Sequence, residues 1–151
     1  MQTISVKECA RASRELFFKG KLGAQRHTVC QNVYDDGSRC AVGAGLDEEI
    51  LEQLSQKGTV GCTVYSLQEW NLIEVTAGEL RELNELQKRH DSWATTHSSQ
   101  QGRAAEEKKF LDLMDHYDPV TYTTQGGDTF NKLSEALHQH DGSIEGITYE
   151  H

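Results

Sequence analysis

"TAGELRELNELQKRHDSWA", residues 76–94, is the stretch that decides the fold class of this chain. Thr76 followed three residues later by Glu79 forms a capping box, which is typical of the first turn of a helix. Side chains suited to a buried face then recur at steps of three or four residues, the spacing of one helix face. They are Leu80, Leu83, Leu86, His90 and Trp93. The stretch therefore predicts a long helix with one face against a core.

Helices are predicted in four other segments, two before this stretch and two after it. The first begins with a second capping box, Ser5 and Glu8, and ends at Gly20. Another ends before Pro119, because proline cannot continue a helix. The last follows Asp128, which we expect to be its N-cap. The predicted helices span residues 5–20, 45–58, 104–118 and 129–140.

Strands are predicted where β-branched and aromatic residues flank turn signals. Val29–Tyr34 and Arg39–Val42 enclose "DDGS" and predict a β-hairpin. Further strand-like segments lie at 59–75, 120–124 and 143–150, and residues 96–103 predict an internal loop. The whole chain, 1–151, is thus expected to form one acidic α+β domain, with four to five helices packed on a small antiparallel sheet.

The net charge of −9 is unevenly distributed. Residues 1–75 carry 8 basic and 10 acidic side chains, whereas residues 76–151 carry 7 and 14, so the second half contributes −7 of the total. A negative surface repels phosphate backbones, so we expect no direct nucleic-acid binding. It attracts a partner with a basic surface. The sequence has neither a long apolar run nor a secretory signal, so we expect no membrane contact and a cytoplasmic location.

Two acidic rows are the predicted partner-binding residues. Each repeats every three residues and so drifts slowly around a helix, forming a ridge of carboxylates that imitates a row of phosphates. The rows are Glu79, Glu82 and Glu85, and Asp112, Asp115 and Asp118. On this hypothesis the second half of the chain docks a basic protein.

A thiol site is the alternative hypothesis. Cys40 would be an activated nucleophile if a helix began near Ala41, and His90 would be its general base. Asp91 is a poor candidate for the acid that orients His90, because adjacent helical residues diverge by about 100°. Asp112, Asp115 and Asp118 are equally open candidates. A buried cysteine in a core is the competing interpretation of Cys40. The four cysteines include no C-x-x-C pair, so neither a metal nor a cofactor is predicted.

The glycine-rich turn at Gly43–Gly45 suggests a third hypothesis, binding of a small nucleotide signal without turnover. It lacks both the G-x-G-x-x-G pattern and a P-loop lysine. Close backbone packing or a change of chain direction is the competing explanation of these glycines.

Two short motifs, C-x9-C-A-V-G and L-Q-x-x-H-D, resemble those of small proteins of unknown function common in tailed bacteriophage genomes. The matching positions are Cys30, Gly37, Cys40–Gly43, Leu46, Leu86, Gln87, His90 and Asp91. The resemblance covers about residues 5–95 and departs at "GLDEE", where "L-I-P-D" is usual. It implies a phage or prophage origin and no particular activity.

Together, these features predict a small phage-type accessory protein that binds and inhibits a host macromolecule in the host cytoplasm. The expected target is a defence complex or another nucleic-acid-processing complex with a basic surface. A thiol enzyme using Cys40 and His90, and a nucleotide-binding sponge, are the alternatives.

Overall fold

The structure is a computed structural model that describes residues 1–22, 39–56, 63–95 and 100–150. Within these ranges the chain forms an α+β domain of seven helices and five short strands. The helices are α1 Val6–Lys19, α2 Ala41–Ala44, α3 Glu48–Gln56, α4 Val64–Glu69, α5 Ala77–Thr95, α6 Gln100–Tyr117 and α7 Leu133–Gln139. The strands are β1 Gln2–Thr3, β2 Ile73–Glu74, β3 Thr121–Thr123, β4 Thr129–Phe130 and β5 Thr148–Glu150.

Helix α1 begins and ends where its sequence predicts. The Oγ atom of Ser5 accepts a hydrogen bond from the Glu8 backbone N–H at 3.1 Å. Gly20 ends the helix in the left-handed conformation, with φ of 69°, which glycine adopts without a Cβ clash. The predicted helices of 76–94 and 104–118 are likewise present as α5 and α6, and α6 ends before Pro119.

Helices α1, α5 and α6 pack against one another and bury apolar side chains between them. Leu83 and Leu86 of α5 and Phe110 and Met114 of α6 are fully buried. Burying one such side chain contributes about 1.5–3 kcal/mol relative to leaving it in water. The three-helix layer therefore contributes to one core that also includes apolar residues of α3, α4, α7 and the strands.

Two small sheets lie beside these helices. Strands β4, β3 and β5 form an antiparallel sheet in which Tyr122 lies opposite both Phe130 and Tyr149. Strands β1 and β2 pair in parallel, with Gln2 opposite Ile73. The antiparallel sheet agrees with the expected architecture, and the parallel pair was not anticipated.

Two predicted strands are wrong over part of their length. Ala41 and Val42, the end of the predicted second hairpin arm Arg39–Val42, instead begin helix α2, because a cap and a side chain from α5 satisfy its first backbone N–H groups. Within 59–75, Ile73–Glu74 is strand β2, but Val64–Glu69 is helix α4, capped by Thr63, whose Oγ1 accepts from the Ser66 N–H at 3.2 Å. The first hairpin arm, Val29–Tyr34, lies outside the described residues.

Two further boundaries differ from expectation. Gln100–Arg103, predicted to be part of a loop, forms the first turn of α6, while residues 96–99 lie outside the described ranges. Thr129–Phe130 pairs with β3, so α7 starts at Leu133 rather than after Asp128. None of the helices in the described parts of the chain is both long and apolar enough to cross a membrane.

Candidate functional site

Cys40 lies at the N-cap of helix α2, only 2% exposed. Its Sγ atom accepts a hydrogen bond from the Gly43 backbone N–H at 3.3 Å. The sulfur thus takes the place that a serine or aspartate oxygen usually occupies at a helix start. This geometry explains Cys40 as a buried cap of a one-turn helix.

Gln87 joins the two sequence motifs across the interface of α2 and α5. Its Oε1 accepts from the Val42 backbone N–H at 2.9 Å, and its Nε2 donates to Asp91 Oδ1 at 2.6 Å. The amide therefore satisfies an orphan donor at the start of α2 while its other end is held by the next turn of α5. The motifs around Cys40 and His90 are brought together by this hydrogen-bond pair.

His90 is fully buried on the same face of α5. Its ring packs edge-on against Trp93 and Phe110, with centroid distances of 5.8 and 5.6 Å. Its Nδ1 atom lies 3.2 Å from Asp91 Oδ1, so Asp91, which was expected to be a poor partner for His90, does contact its ring. Burial of both the Cys40 thiol and this imidazole removes them from contact with a dissolved substrate.

The glycine-rich turn packs against α1. A Cβ atom at Gly45 would lie 2.5 Å from Cys9 Sγ, well inside van der Waals contact. Burial raises the pKa of the Cys9 thiol to about 12, so this sulfur is protonated and packs as an apolar group. Close helix packing explains Gly45, and no phosphate cradle is needed to account for it.

Asp115 and Asp118 are buried beneath the surface of α6, so the predicted exposed ridge of Asp112, Asp115 and Asp118 is wrong. The Arg14 guanidinium of α1 binds both carboxylates, through Nη1 to Asp118 Oδ2 at 2.5 Å and Nη2 to Asp115 Oδ1 at 3.0 Å. Arg14 is fully buried, and Nη2 also donates to the Asp118 backbone carbonyl. A paired and hydrogen-bonded cation makes the burial of these carboxylates tolerable.

Tyr122 completes this buried ion cluster, defined as Arg14, Asp115, Asp118 and Tyr122. Its hydroxyl accepts from Arg14 Nε at 2.6 Å and donates to Asp115 Oδ1 at 2.5 Å. Burial and the adjacent Asp115 raise the pKa of the Tyr122 hydroxyl, which remains a donor. Asp115 Oδ2 accepts from the Leu133 N–H at 2.8 Å. A side chain of α6 therefore caps α7, a role that the sequence had predicted for Asp128.

Neither Arg14 nor Tyr122 belongs to a site that was predicted from the sequence. A signal was present for Arg14, because it follows Val6 and Ala10 at four-residue steps and so shares their buried face. A lone arginine on an apolar stripe indicates a buried partner of opposite charge. Its acidic partners, however, lie about a hundred residues later in the chain, at separations of 101 and 104 positions.

The remaining residues of the predicted acidic rows have different environments. Glu79 is half-buried and accepts from the Val6 backbone N–H at 3.1 Å and from the Thr76 hydroxyl at 3.0 Å. Glu82 and Glu85 are exposed on α5. Asp112 is half-buried and accepts from Lys108 Nζ and Ser134 Oγ, both at 2.6 Å. Only Glu82 and Glu85 therefore match the exposed ridge that the sequence predicted.

A groove of about 980 Å³ opens between α6 and α7. Its apolar lining comes from Leu111 of α6, Phe130 of β4 and Leu137 of α7. Ala104 and Ala105, also on α6, contribute small side chains to its lining. Its volume is at the upper end of the range for small-molecule sites and accommodates several side chains of a peptide.

Charged side chains at this groove are mostly acidic. Glu107, Glu135 and Asp141 contribute carboxylates, against Lys108 and the imidazole of His138. The Lys108 charge is 2.6 Å from the carboxylate of Asp112, outside the groove lining. Glu107 accepts a hydrogen bond from Trp93 Nε1 at 3.1 Å, and burial raises the pKa of its carboxyl. The α6–α7 groove thus has an apolar floor and mainly negative charge at its edge.

Comparison with protein-family models, curated proteins and solved structures gives no match for this chain. Within residues 1–22, 39–56, 63–95 and 100–150, His, Cys, Asp and Glu side chains form no group of three arranged to hold a metal ion. The geometry of the α6–α7 groove and the distribution of charge around it are therefore the basis for a functional proposal.

Proposed function

We propose that this protein is a small acidic accessory protein of phage type that binds and inhibits a host macromolecule in the host cytoplasm. The observation that carries the proposal is the charge of the exposed surface around α7 and the chain beside it. Over residues 128–150 the carboxylates outnumber the single cation, Lys132, and all of them are exposed. They are Asp128, Glu135, Asp141, Glu145 and Glu150.

A basic surface on a host protein is the partner that this charge favours. Complementary charge accelerates encounter and disfavours partners that carry phosphate. A host defence complex or another nucleic-acid-processing complex exposes such a basic surface to bind nucleic acid. Occupation of that surface by this protein would inhibit the complex by competition.

The burial of Cys40 and His90 supports binding over thiol catalysis. A thiol nucleophile has to reach its substrate, and a reactive cysteine usually has an electropositive and partly exposed environment. Here the sulfur caps α2 and the imidazole packs among aromatic rings. A Cys40→Ala variant is therefore expected to retain partner binding wherever it retains the fold.

The test is capture of host proteins by three immobilised forms of the chain. These are the wild type, the triple variant Glu135→Gln/Asp141→Asn/Glu145→Gln, and the control Glu82→Gln/Glu85→Gln on α5. We expect the wild type and the control to retain one basic protein or complex at low salt and the triple variant to lose it. Added salt should weaken the wild-type complex, because exposed charges are screened. Equal capture by all three forms would contradict the proposal, as would a partner retained equally at high salt.

A further inference from the structure

The α6–α7 groove has the properties of a docking site for one kind of polypeptide segment. Its floor is apolar, with Leu111, Phe130 and Leu137 lining it. Contacts between α7 and α6 lie further along α6, where Leu133 and Ser134 bind Asp115 and Asp112. Ala104 and Ala105 are consequently exposed on the same side of α6. A groove with an apolar floor is typical of sites that take an amphipathic segment.

Charge at the groove restricts the chemistry of its occupant. Glu135 and Asp141 lie on the α7 side, and Glu107 lies on the α6 side. The single lysine of the lining, Lys108, already binds Asp112. A nucleotide or a nucleic acid would bring phosphates toward these carboxylates, which is unfavourable. A segment that carries both apolar and basic side chains matches the floor and the edge together.

We propose that the α6–α7 groove binds an amphipathic segment of the host partner, whose apolar side chains contact Ala104, Ala105 and Phe130 while its Lys or Arg side chains contact Glu135 and Asp141. This inference rests on the proposed function, since it names the segment through which the basic partner is held. The apolar contacts supply affinity, and the carboxylates orient the segment and increase the rate of encounter.

The probe is a synthetic peptide of leucine and lysine, about 14 residues long, with its leucines on one helix face. Two controls carry the same number of lysines: a shuffled sequence without an apolar face, and oligolysine. Binding of each labelled peptide to the full chain is measured by fluorescence anisotropy at low and high salt. We expect the amphipathic peptide to bind at least about tenfold more tightly than either control, because only it fills the groove.

Two variants test whether the amphipathic peptide binds in the α6–α7 groove. Ala105→Trp fills the groove, and Ser55→Trp places the same side chain on the exposed face of α3 as a matched control. Melting by circular dichroism verifies that both are folded; if Ala105→Trp is not, Ala104→Leu replaces it. We expect the groove-filling variant to abolish the advantage of the amphipathic peptide, to leave oligolysine binding unchanged, and to reduce host-protein capture. Ser55→Trp should change none of these.

The outcomes separate this inference from the function on which it rests. If all three peptides bind equally, or if Ala105→Trp has no effect on the amphipathic peptide, the groove is not the docking site. Host capture that still depends on Glu135 and Asp141 would then preserve the proposed function. If the triple charge variant captures the host protein as well as the wild type, the proposed function fails together with this inference.

Discussion

The acidic rows of α5 and α6 have the same spacing and opposite environments. Glu82 and Glu85 are exposed on α5, whereas Asp115 and Asp118 are buried under α6. The difference comes from one residue of another helix, Arg14, whose guanidinium binds both aspartates. A row of carboxylates at three-residue spacing is therefore an exposed, solvated surface in one tertiary context and a buried ion cluster in another.

The two rows also differ in how they contribute to the protein. Exposed carboxylates interact weakly with their neighbours, because water and salt screen them. Buried carboxylates cost several kcal/mol to desolvate, and their partners have to offset that cost. We therefore expect the buried aspartates of α6 to matter for stability and the exposed pair on α5 to change stability little.

Substitution of Arg14 has the largest expected effect on stability and tests whether the buried aspartates of α6 depend on their cation. Arg14→Met removes the buried cation that binds both Asp115 and Asp118, so we expect a loss of about 3–5 kcal/mol in the free energy of unfolding. Urea denaturation measures it. The control is Arg11→Met, since Arg11 is exposed and lies 3.6 Å from Asp118 Oδ1. Equal effects of the two substitutions would show that the buried ion cluster is not the stabilising unit.

Tyr122→Phe is the next largest perturbation. It removes only the hydroxyl that links Arg14 Nε to Asp115 Oδ1 and retains the ring beside Phe18. Leaving buried polar atoms without a partner costs about 1–3 kcal/mol, so we expect a loss of that size in urea denaturation. In the background of Arg14→Met the same substitution should cost less, because the two groups act in one network. Additive losses would contradict that coupling.

Substitution of Asp112 has the smallest expected effect on stability, and that effect depends on pH. Burial raises the pKa of this carboxyl, but hydrogen bonds from Lys108 and Ser134 outweigh burial and hold the pKa below its ordinary value of 3.8. The folded chain therefore binds the proton less readily than the unfolded chain does. The stabilisation is present above about pH 4 and is lost as the pH falls through the lower, folded value.

Comparison of the wild type with Asp112→Asn at several pH values measures this contribution. We expect a difference of no more than about 0.5 kcal/mol at neutral pH, because the group is only partly buried, and none in strong acid. Glu82→Gln/Glu85→Gln, in the exposed row, is the matched control and should leave the unfolding midpoint unchanged. A wild-type advantage that grows in acid would have the wrong sign and refute the assignment.

Local signals in the sequence predicted several elements well. The capping box at Ser5 and the glycine at position 20 gave the limits of α1, and the leucine spacing of 76–94 predicted α5. Local signals failed where a distant side chain supplies the missing hydrogen bond. The first two residues of helix α2, Ala41 and Val42, were predicted as the end of a strand, because the backbone N–H of Val42 is satisfied by Gln87, which lies 45 residues later.

The candidate site was less predictable than the fold. Sequence patterns correctly indicated an acidic second half and named Glu82 and Glu85 as exposed, but they placed Asp115 and Asp118 on the same kind of surface. The α6–α7 groove could not be anticipated, since it depends on where α7 packs along α6. Its small residues, Ala104 and Ala105, are unremarkable in a helix until that packing is known.

By itself, the sequence determined the α+β class, the positions of the long helices and the excess of negative charge, because caps, periodicity and charge are properties of neighbouring residues. Only the tertiary structure decided which carboxylates are buried and where an apolar groove is open. Those outcomes depend on contacts such as that of Arg14 with Asp115, 101 positions apart, for which no local pattern specifies a partner.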